Sequence, residues 1–144
     1  KVNRLDPHTL FSIFEKGDEE VYRENKIEGL LGNPYVLIGM VVNGVENYFF
    51  IDEIYSNKEP KRYARVKDSI KYKYFNKIFN YLTRLPLDKI DKKYGIGTDY
   101  ELDRSINALN ELLFYFEEIE EYKKCAIIFQ YTDLLYTKKL HTLI

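Results

Sequence analysis

The sequence predicts an α+β fold: an N-terminal helix, a β-hairpin or three-stranded antiparallel sheet, and a helical C-terminal half packed on it. Two observations predict this fold. Residues 35–55 hold two runs of β-branched and aromatic residues on either side of Asn43-Gly44, and later segments carry apolar residues at helical spacing. At 144 residues the chain fits one domain, in which 1–57 (helix plus hairpin) and 58–144 (helical half) form a single unit.

The first predicted element is a helix that begins at Asp6-Pro7 and ends at Gly17. An aspartate accepts hydrogen bonds from free backbone N–H groups at a helix start, and proline suits the first helical position. The apolar stripe of this helix consists of Leu10, Phe11 and Phe14. Residues 21–31 alternate in a way that favours a third, edge strand of the sheet.

The hairpin is the central predicted element, and Gly32-Asn33-Pro34 predicts the turn that leads into it. Asn43 and Gly44 both tolerate positive φ, as a two-residue hairpin turn requires, and that turn pairs 35–42 with 45–52. Both faces of the ribbon are largely apolar. Because a two-stranded ribbon alone is marginal in water, we expect helices, a third strand or a partner chain to cover both faces.

Three helices are predicted after the hairpin. The first is capped by Asp68 or Ser69, ends before Pro86, and has an apolar face made of Ile70, Tyr74, Phe75, Ile78, Phe79, Leu82 and Leu85. The second runs from Thr98 to about Glu121, with Thr98 and Glu101 spaced as a capping box. For the segment from Tyr122 onward we favour a buried helix packed antiparallel to its predecessor, and a central strand over 125–132 is the alternative.

Composition excludes several classes of protein. The formal net charge of −1 excludes a general polycation drawn to nucleic acid or membranes. The only cysteine, Cys125, excludes an intrachain disulfide and fits a reducing compartment, where we interpret it as a small core residue. No stretch approaches the roughly 20 apolar residues of a membrane span, so we expect a cytoplasmic protein with no membrane partner.

The stretch from Lys58 to Lys77 is rich in basic residues with tyrosines between them, a pattern typical of nucleic-acid binding because cations contact phosphates and rings stack on bases. The alternative is a solvated helix face neutralised by the acidic helix that follows Thr98. The predicted nucleic-acid contacts are Lys61, Arg62, Arg65, Lys71, Lys73, Lys77 and, further along the chain, Arg104.

A second hint of nucleic-acid binding lies in residues 87–112, where Lys92-Lys93-Tyr94-Gly95-Ile96 is followed by Arg104-Ser105-Ile106-Asn107-Ala108-Leu109. This segment resembles a helix-turn-helix of the winged bacterial and archaeal type over 26 of 144 residues. The resemblance implies insertion of the second helix into the DNA major groove, with base contacts from Arg104, Asn107 and Asn110.

Other patterns that can carry chemistry are weak in this sequence. Asp52-Glu53, with Glu24 or Asp68, could form a carboxylate metal site of a hydrolase, but adjacent carboxylates are commonly just a solvated strand end. Gly95-Ile96-Gly97-Thr98 is interpreted as a turn with a threonine cap rather than a phosphate loop. His8 and His141 lack ligand spacing, and no serine or cysteine has a recognisable base nearby. We therefore predict no catalytic residue, no metal ligand and no cofactor.

The favoured function at this level is a non-catalytic interaction module that contacts a protein partner or a second copy of itself through aromatic and apolar surface. The aromatic content of 16%, with 14 Tyr and 9 Phe, exceeds what a core of this size needs, and exposed apolar surface marks interfaces. Nucleic-acid binding through the basic stretch is the alternative, and a metal-dependent hydrolase at Asp52 and Glu53 is a lesser one.

Overall fold

The computed structural model describes residues 34–88 and 99–142, and these two ranges consist of helices joined by short turns, with no strand in either. Five helices follow one another along the chain: α1 (Pro34–Lys58), α2 (Pro60–Ala64), α3 (Lys67–Thr83), α4 (Asp99–Glu118) and α5 (Tyr122–Thr142). The predicted α+β fold is therefore wrong for the part of the chain that carries the hairpin. The predicted helix 6–17 and edge strand 21–31 lie outside the described residues.

The predicted hairpin is the 25-residue helix α1. Its buried side chains recur at steps of three and four, which places them along the side of a helix: Leu37, Val41, Val45, Tyr48, Ile51 and Tyr55. Asn43 and Gly44 lie in the middle of this helix rather than at a turn, and no described glycine has positive φ. Because the segment is apolar at almost every position, it satisfies the helical period as well as the strand period.

Gly44 has a packing role instead of a turn role. A Cβ atom at this position would lie 3.0 Å from Cγ1 of Ile78, a buried residue of α3. The missing side chain therefore lets the backbone of α1 approach α3 closely. Gly39, five residues earlier on another side of α1, differs from Gly44 because a Cβ atom there would have nothing within 4 Å.

The prediction for α3 is confirmed, since its predicted apolar face is buried at every position. The helix begins one residue before the predicted cap: Val66 is the N-cap residue and makes no side-chain hydrogen bond, and Asp68 lies in the first turn. A carboxylate in that turn is favourable beside the helix dipole. The short helix α2 was not predicted, although Pro60 at its start is typical of a first helical position.

The segments of α4 and α5 are both helical, as predicted, and together form a helical hairpin; this excludes the strand alternative for 125–132. Glu120 has a φ of 61°, and the N–H of Glu121 donates to the carbonyl oxygen of Phe116 at 2.9 Å. This hydrogen bond to a carbonyl five residues earlier and the left-handed conformation of Glu120 form a Schellman motif that ends α4. The two helices are antiparallel, because Lys139 near the end of α5 contacts Asp103 near the start of α4.

The core joins α1 to α3 and α4, and α4 in turn to α5. Phe75 of α3 lies at its centre, with ring centroids 5.0 Å from Tyr48 of α1 and 4.8 Å from Tyr115 of α4. The hydroxyl of Tyr131 on α5 donates to the carbonyl oxygen of Leu85 at 2.6 Å and connects α5 to the end of α3. None of the described helices is both long enough and apolar enough to cross a membrane.

Candidate functional site

The cations predicted to bind nucleic acid are distributed over three helices. Lys61 and Arg62 are exposed on α2, and Arg65 is exposed just after it. Lys73 is exposed on α3 and Lys77 is half-buried there. The predicted cations therefore come from separate helices, and Lys73 and Lys77 are described with the groove below.

Lys71 lies against the aromatic core. Its Nζ is within 6 Å of four ring centroids, at 5.7 Å from Tyr48, 5.9 Å from Phe49, 5.5 Å from Phe75 and 5.1 Å from Tyr115. A cation near the faces of several rings is attracted by their quadrupoles. The arrangement makes Lys71 part of the packing between α1, α3 and α4, a role for which the sequence offered no signal.

Arg104 pairs with Glu46 and so joins α4 to α1. Its Nε donates to Oε2 of Glu46 at 3.1 Å, and its Nη2 donates to Oε1, which makes the pair bidentate. Asn110, another proposed base reader, donates from Nδ2 to the hydroxyl of Tyr136 at 3.2 Å, whereas Asn107 is exposed. Residues 89–98, which include the would-be turn of the helix-turn-helix and the Gly95–Thr98 segment, lie outside the described residues.

Two acids of residues 99–121 pair with lysines of α5. Asp103 pairs with Lys139 of α5 at 2.6 Å, and Glu121 pairs with Lys124 at 3.2 Å. The ion pair observed within the basic stretch joins Lys67 to Asp52 of α1 at 3.3 Å. Neutralisation of the basic stretch by α4 stays a prediction.

Asp52 belongs to a polar cluster at the α1–α3 contact. The hydroxyl of buried Tyr63 donates to Oδ1 of Asp52 at 2.8 Å, and burial followed by this hydrogen bond raises the pKa of Tyr63. Lys67 lies over the Tyr63 ring as well as beside Asp52. Glu53 is exposed, and residues 34–88 and 99–142 hold no group of three side chains that could bind a metal ion. The cluster is best interpreted as a structural link between α1, α2 and α3.

Buried tyrosines predict a loss of stability in alkaline solution. Burial raises the pKa of Tyr115 to about 12, and its neighbours Glu121 and Tyr72 contribute in the same direction. Because the folded pKa lies above the ordinary value of about 10, the folded state holds the proton more tightly. This contribution is fully present below about pH 10 and is lost as the pH rises toward 12. We expect the urea midpoint to fall over that interval, and Tyr115→Phe to flatten the fall; an equally steep fall in the variant would contradict the assignment.

The first of two candidate binding surfaces is a shallow groove of about 410 Å³ along the outer side of α3. The α3 groove is lined by Tyr72, Lys73, Asn76, Lys77, Asn80, Tyr81 and Arg84. No acid lies among these residues. Burial, and then the nearby charge of Arg84, lowers the pKa of Lys77. The groove therefore holds like charges close together.

The second candidate binding surface lies on α4 and α5. Along α5 a stripe of exposed residues recurs at alternating steps of four and three: Tyr122, Ala126, Phe129, Asp133, Tyr136 and Leu140. Phe114 of α4 is also exposed and lies one turn after Asn110, whose amide reaches Tyr136, so the two helices present it beside the stripe. Phe114 and these six residues together are called the α4–α5 face. The prediction that the last helix is buried therefore holds for only one side of it.

The remaining candidates have no evident chemistry. A cleft of about 190 Å³ between α1 and α4 is lined by residues that include Gly39, Glu101, Arg104 and Ser105. The Ser105 hydroxyl donates to the carbonyl oxygen of Glu101 at 2.9 Å, which occupies it within its own helix. Cys125 is buried, as predicted, and burial raises the pKa of its thiol, which makes it a poor nucleophile.

Comparison with known proteins found no matching family model, no matching curated protein and no matching solved structure.

Proposed function

We propose that this chain is a non-catalytic protein-interaction module that binds a second copy of itself through the α4–α5 face. The observation that carries the proposal is the exposed stripe of α5, in which four of six side chains are large and apolar. The two apolar faces of the predicted hairpin no longer support an interaction module, because this segment is helix α1, which buries most of its apolar side chains. The cytoplasmic location expected from composition accompanies this proposal as a prediction.

The spacing of the stripe is that of a helix seam. Alternating steps of three and four repeat every seven residues, the pattern by which one helix packs lengthwise against others. An adjacent side of α5 uses the same spacing to pack on α4, through Cys125, Ile128, Thr132 and Leu135, all of which are buried. Because α5 has two such sides and α4 covers one, the second is suited to another helix.

The exposed side chains are large. Phe114 is 63% exposed and Phe129 is 59% exposed, and Tyr122 and Leu140 are comparable. Aromatic residues grouped in this way are enriched at protein interfaces and rarely gathered on the surface of a monomer. Asp133 interrupts the stripe, and a single polar residue in a seam favours one register over others.

The charges of the two helices favour a second copy over an unrelated partner. Apart from Arg104, the charged residues of α4 are acids, and α5 carries four lysines against Asp133. A two-fold axis parallel to the helices would set α5 of one copy against α4 of the other, because that rotation exchanges the two sides of the face. Acidic and basic helices would then alternate in a four-helix arrangement, in which opposite charges attract.

The face is large enough for a specific dimer. A helix of 21 residues is about 31 Å long, and two helices side by side span roughly 20 Å, so the face projects about 600 Å². Specific interfaces bury about 600–1,000 Å² on each partner, and side chains that project from the helices add to the estimated area. The size is therefore adequate without a contribution from α1 or α3.

The test is the oligomeric state of the wild-type chain and of Phe129→Ser. We expect a dimer by analytical ultracentrifugation at micromolar concentration, and a dissociation constant raised about tenfold or more in the variant, as expected for an anchor at a seam. Phe50→Ser is the matched control, because Phe50 of α1 is the same residue type, is 62% exposed and lies away from the face.

A chain that stays monomeric at all concentrations, or a dimer weakened equally by Phe50→Ser and Phe129→Ser, would refute the proposed dimer. Circular dichroism of both variants should match the wild type, because both side chains are exposed and neither contributes to the core.

A further inference from the structure

The α3 groove has features that the proposed dimer does not use. Lys73, Lys77 and Arg84 lie on one side of α3, at positions i, i+4 and i+11, which corresponds to a line about 16 Å long. They share this line with two tyrosines, Tyr72 and Tyr81. A row of cations with rings beside it differs from an ordinary solvated helix face, which mixes both signs of charge.

We infer that the α3 groove binds single-stranded nucleic acid, with phosphates on Lys73, Lys77 and Arg84 and bases on Tyr72 and Tyr81. Three cations in a row can follow successive phosphates of a flexible strand, and the rings can stack on bases that a single strand leaves uncovered. In a duplex the base faces are already stacked on one another, so the rings would have no partner there. This inference is independent of the dimer, because the α4–α5 face and the groove share no residue.

The electrostatics of the groove favour an anion. Lys77 is half-buried, and its pKa is lowered by that burial and by Arg84. Two cations held together repel each other, and a phosphate between them would remove the repulsion and restore the charged form of Lys77. Lys124 of α5 adds positive charge at the rim, where its Nζ donates to Oδ1 of Asn76; Glu121, 3.2 Å from Lys124, is an acid at that rim.

The Tyr72 ring is accessible for stacking, and Nζ of Lys124 of α5 lies 5.9 Å from its centroid. Tyr72 is 47% exposed, and Tyr81 is half-buried with the guanidinium of Arg84 5.9 Å from its ring centroid. Asn80 is exposed between them and offers an amide that can donate to and accept from base edges. Asn76 is engaged already, since its Nδ2 donates to the carbonyl oxygen of Tyr72 at 2.7 Å and its Oδ1 accepts from Lys124.

The test is fluorescence anisotropy with labelled dodecamers of deoxythymidine and of uridine, each titrated with the full chain at several salt concentrations. Three phosphate contacts to a single strand predict a slope of log affinity against log salt of about −2. Lys73→Gln with Lys77→Gln should reduce the magnitude of that slope to below about 1. Tyr72→Ala should weaken binding about tenfold and leave the slope unchanged, because it removes a stacking contact and no charge.

The matched control is Lys61→Gln with Arg62→Gln, which removes the same charge from exposed positions of α2 outside the groove. It should leave affinity and slope unchanged. Equal losses in the control and groove variants, equal affinity for duplex DNA, or no binding at low salt would overturn the inference. Binding to vesicles of anionic lipid without binding to either oligonucleotide would overturn it as well. The Phe129→Ser variant should bind the oligonucleotides normally, so failure of the dimer and failure of this site are distinguishable.

Discussion

Replacing Phe75 with alanine is expected to lower the free energy of unfolding by about 3–5 kcal/mol, because a fully buried ring would leave a cavity where three helices meet. Phe75 has no exposed surface, and its ring contacts Tyr48 of α1 and Tyr115 of α4. Lys71, which lies 5.5 Å from the same ring centroid, would lose one of its aromatic neighbours. Urea denaturation followed by far-UV circular dichroism would measure the change.

The control for this prediction is Phe50→Ala, which removes the same side chain from an exposed position of α1. Its effect should stay within about 0.5 kcal/mol, the range of surface substitutions. Similar losses for the two variants would show that Phe75 does not lie at the centre of the core.

Gly44→Leu is expected to lower the free energy of unfolding by about 2 kcal/mol or more, because there is no room for a side chain between α1 and α3. A Cβ atom alone would lie 3.0 Å from Cγ1 of Ile78 and 3.2 Å from its Cδ1. Leucine favours a helix over glycine by roughly 1 kcal/mol, which offsets only part of the overpacking cost. Thermal and urea unfolding of the variant would measure the net effect.

Gly39→Leu is the matched control, because the same substitution five residues earlier meets open space at its Cβ position and adjoins the cleft between α1 and α4. Its stability should be unchanged or raised by up to about 1 kcal/mol through helix propensity. Equal destabilisation at both glycines would contradict the close approach of α1 to α3 at Gly44.

The helices α3 and α4 were predictable because their sequences alternate polar and apolar residues with one clear period. In α3 every residue of the predicted apolar face is buried, and the residues that line its groove include no acid. The segment of α1 has no such contrast. Its apolar residues fit the strand pattern and the helix pattern equally well, so the hairpin prediction depended on the turn preference of Asn43-Gly44. That local preference is weaker than the packing of a 25-residue helix on two neighbouring helices.

The candidate surfaces were predictable only in part. The basic residues of α3 were identified from the sequence, whereas the pairing of Arg104 with Glu46, 58 residues apart, could not be. The exposed side of α5 escaped prediction for a similar reason. An apolar helix with no polar side looks buried all round, and only the position of α4 decides which of its two seams is covered.

The sequence by itself determined where helices α3, α4 and α5 form, that Cys125 is buried, and that α3 has a basic outer side. These properties follow from local chemistry: apolar spacing, composition and the charges of neighbouring residues. Only the tertiary structure decided that 34–58 is a helix, because α3 and α4 supply the cover that makes a helix more stable there than a ribbon. It also decided which cations are engaged in the fold and which line a groove, since ion pairs between distant residues depend on how helices pack.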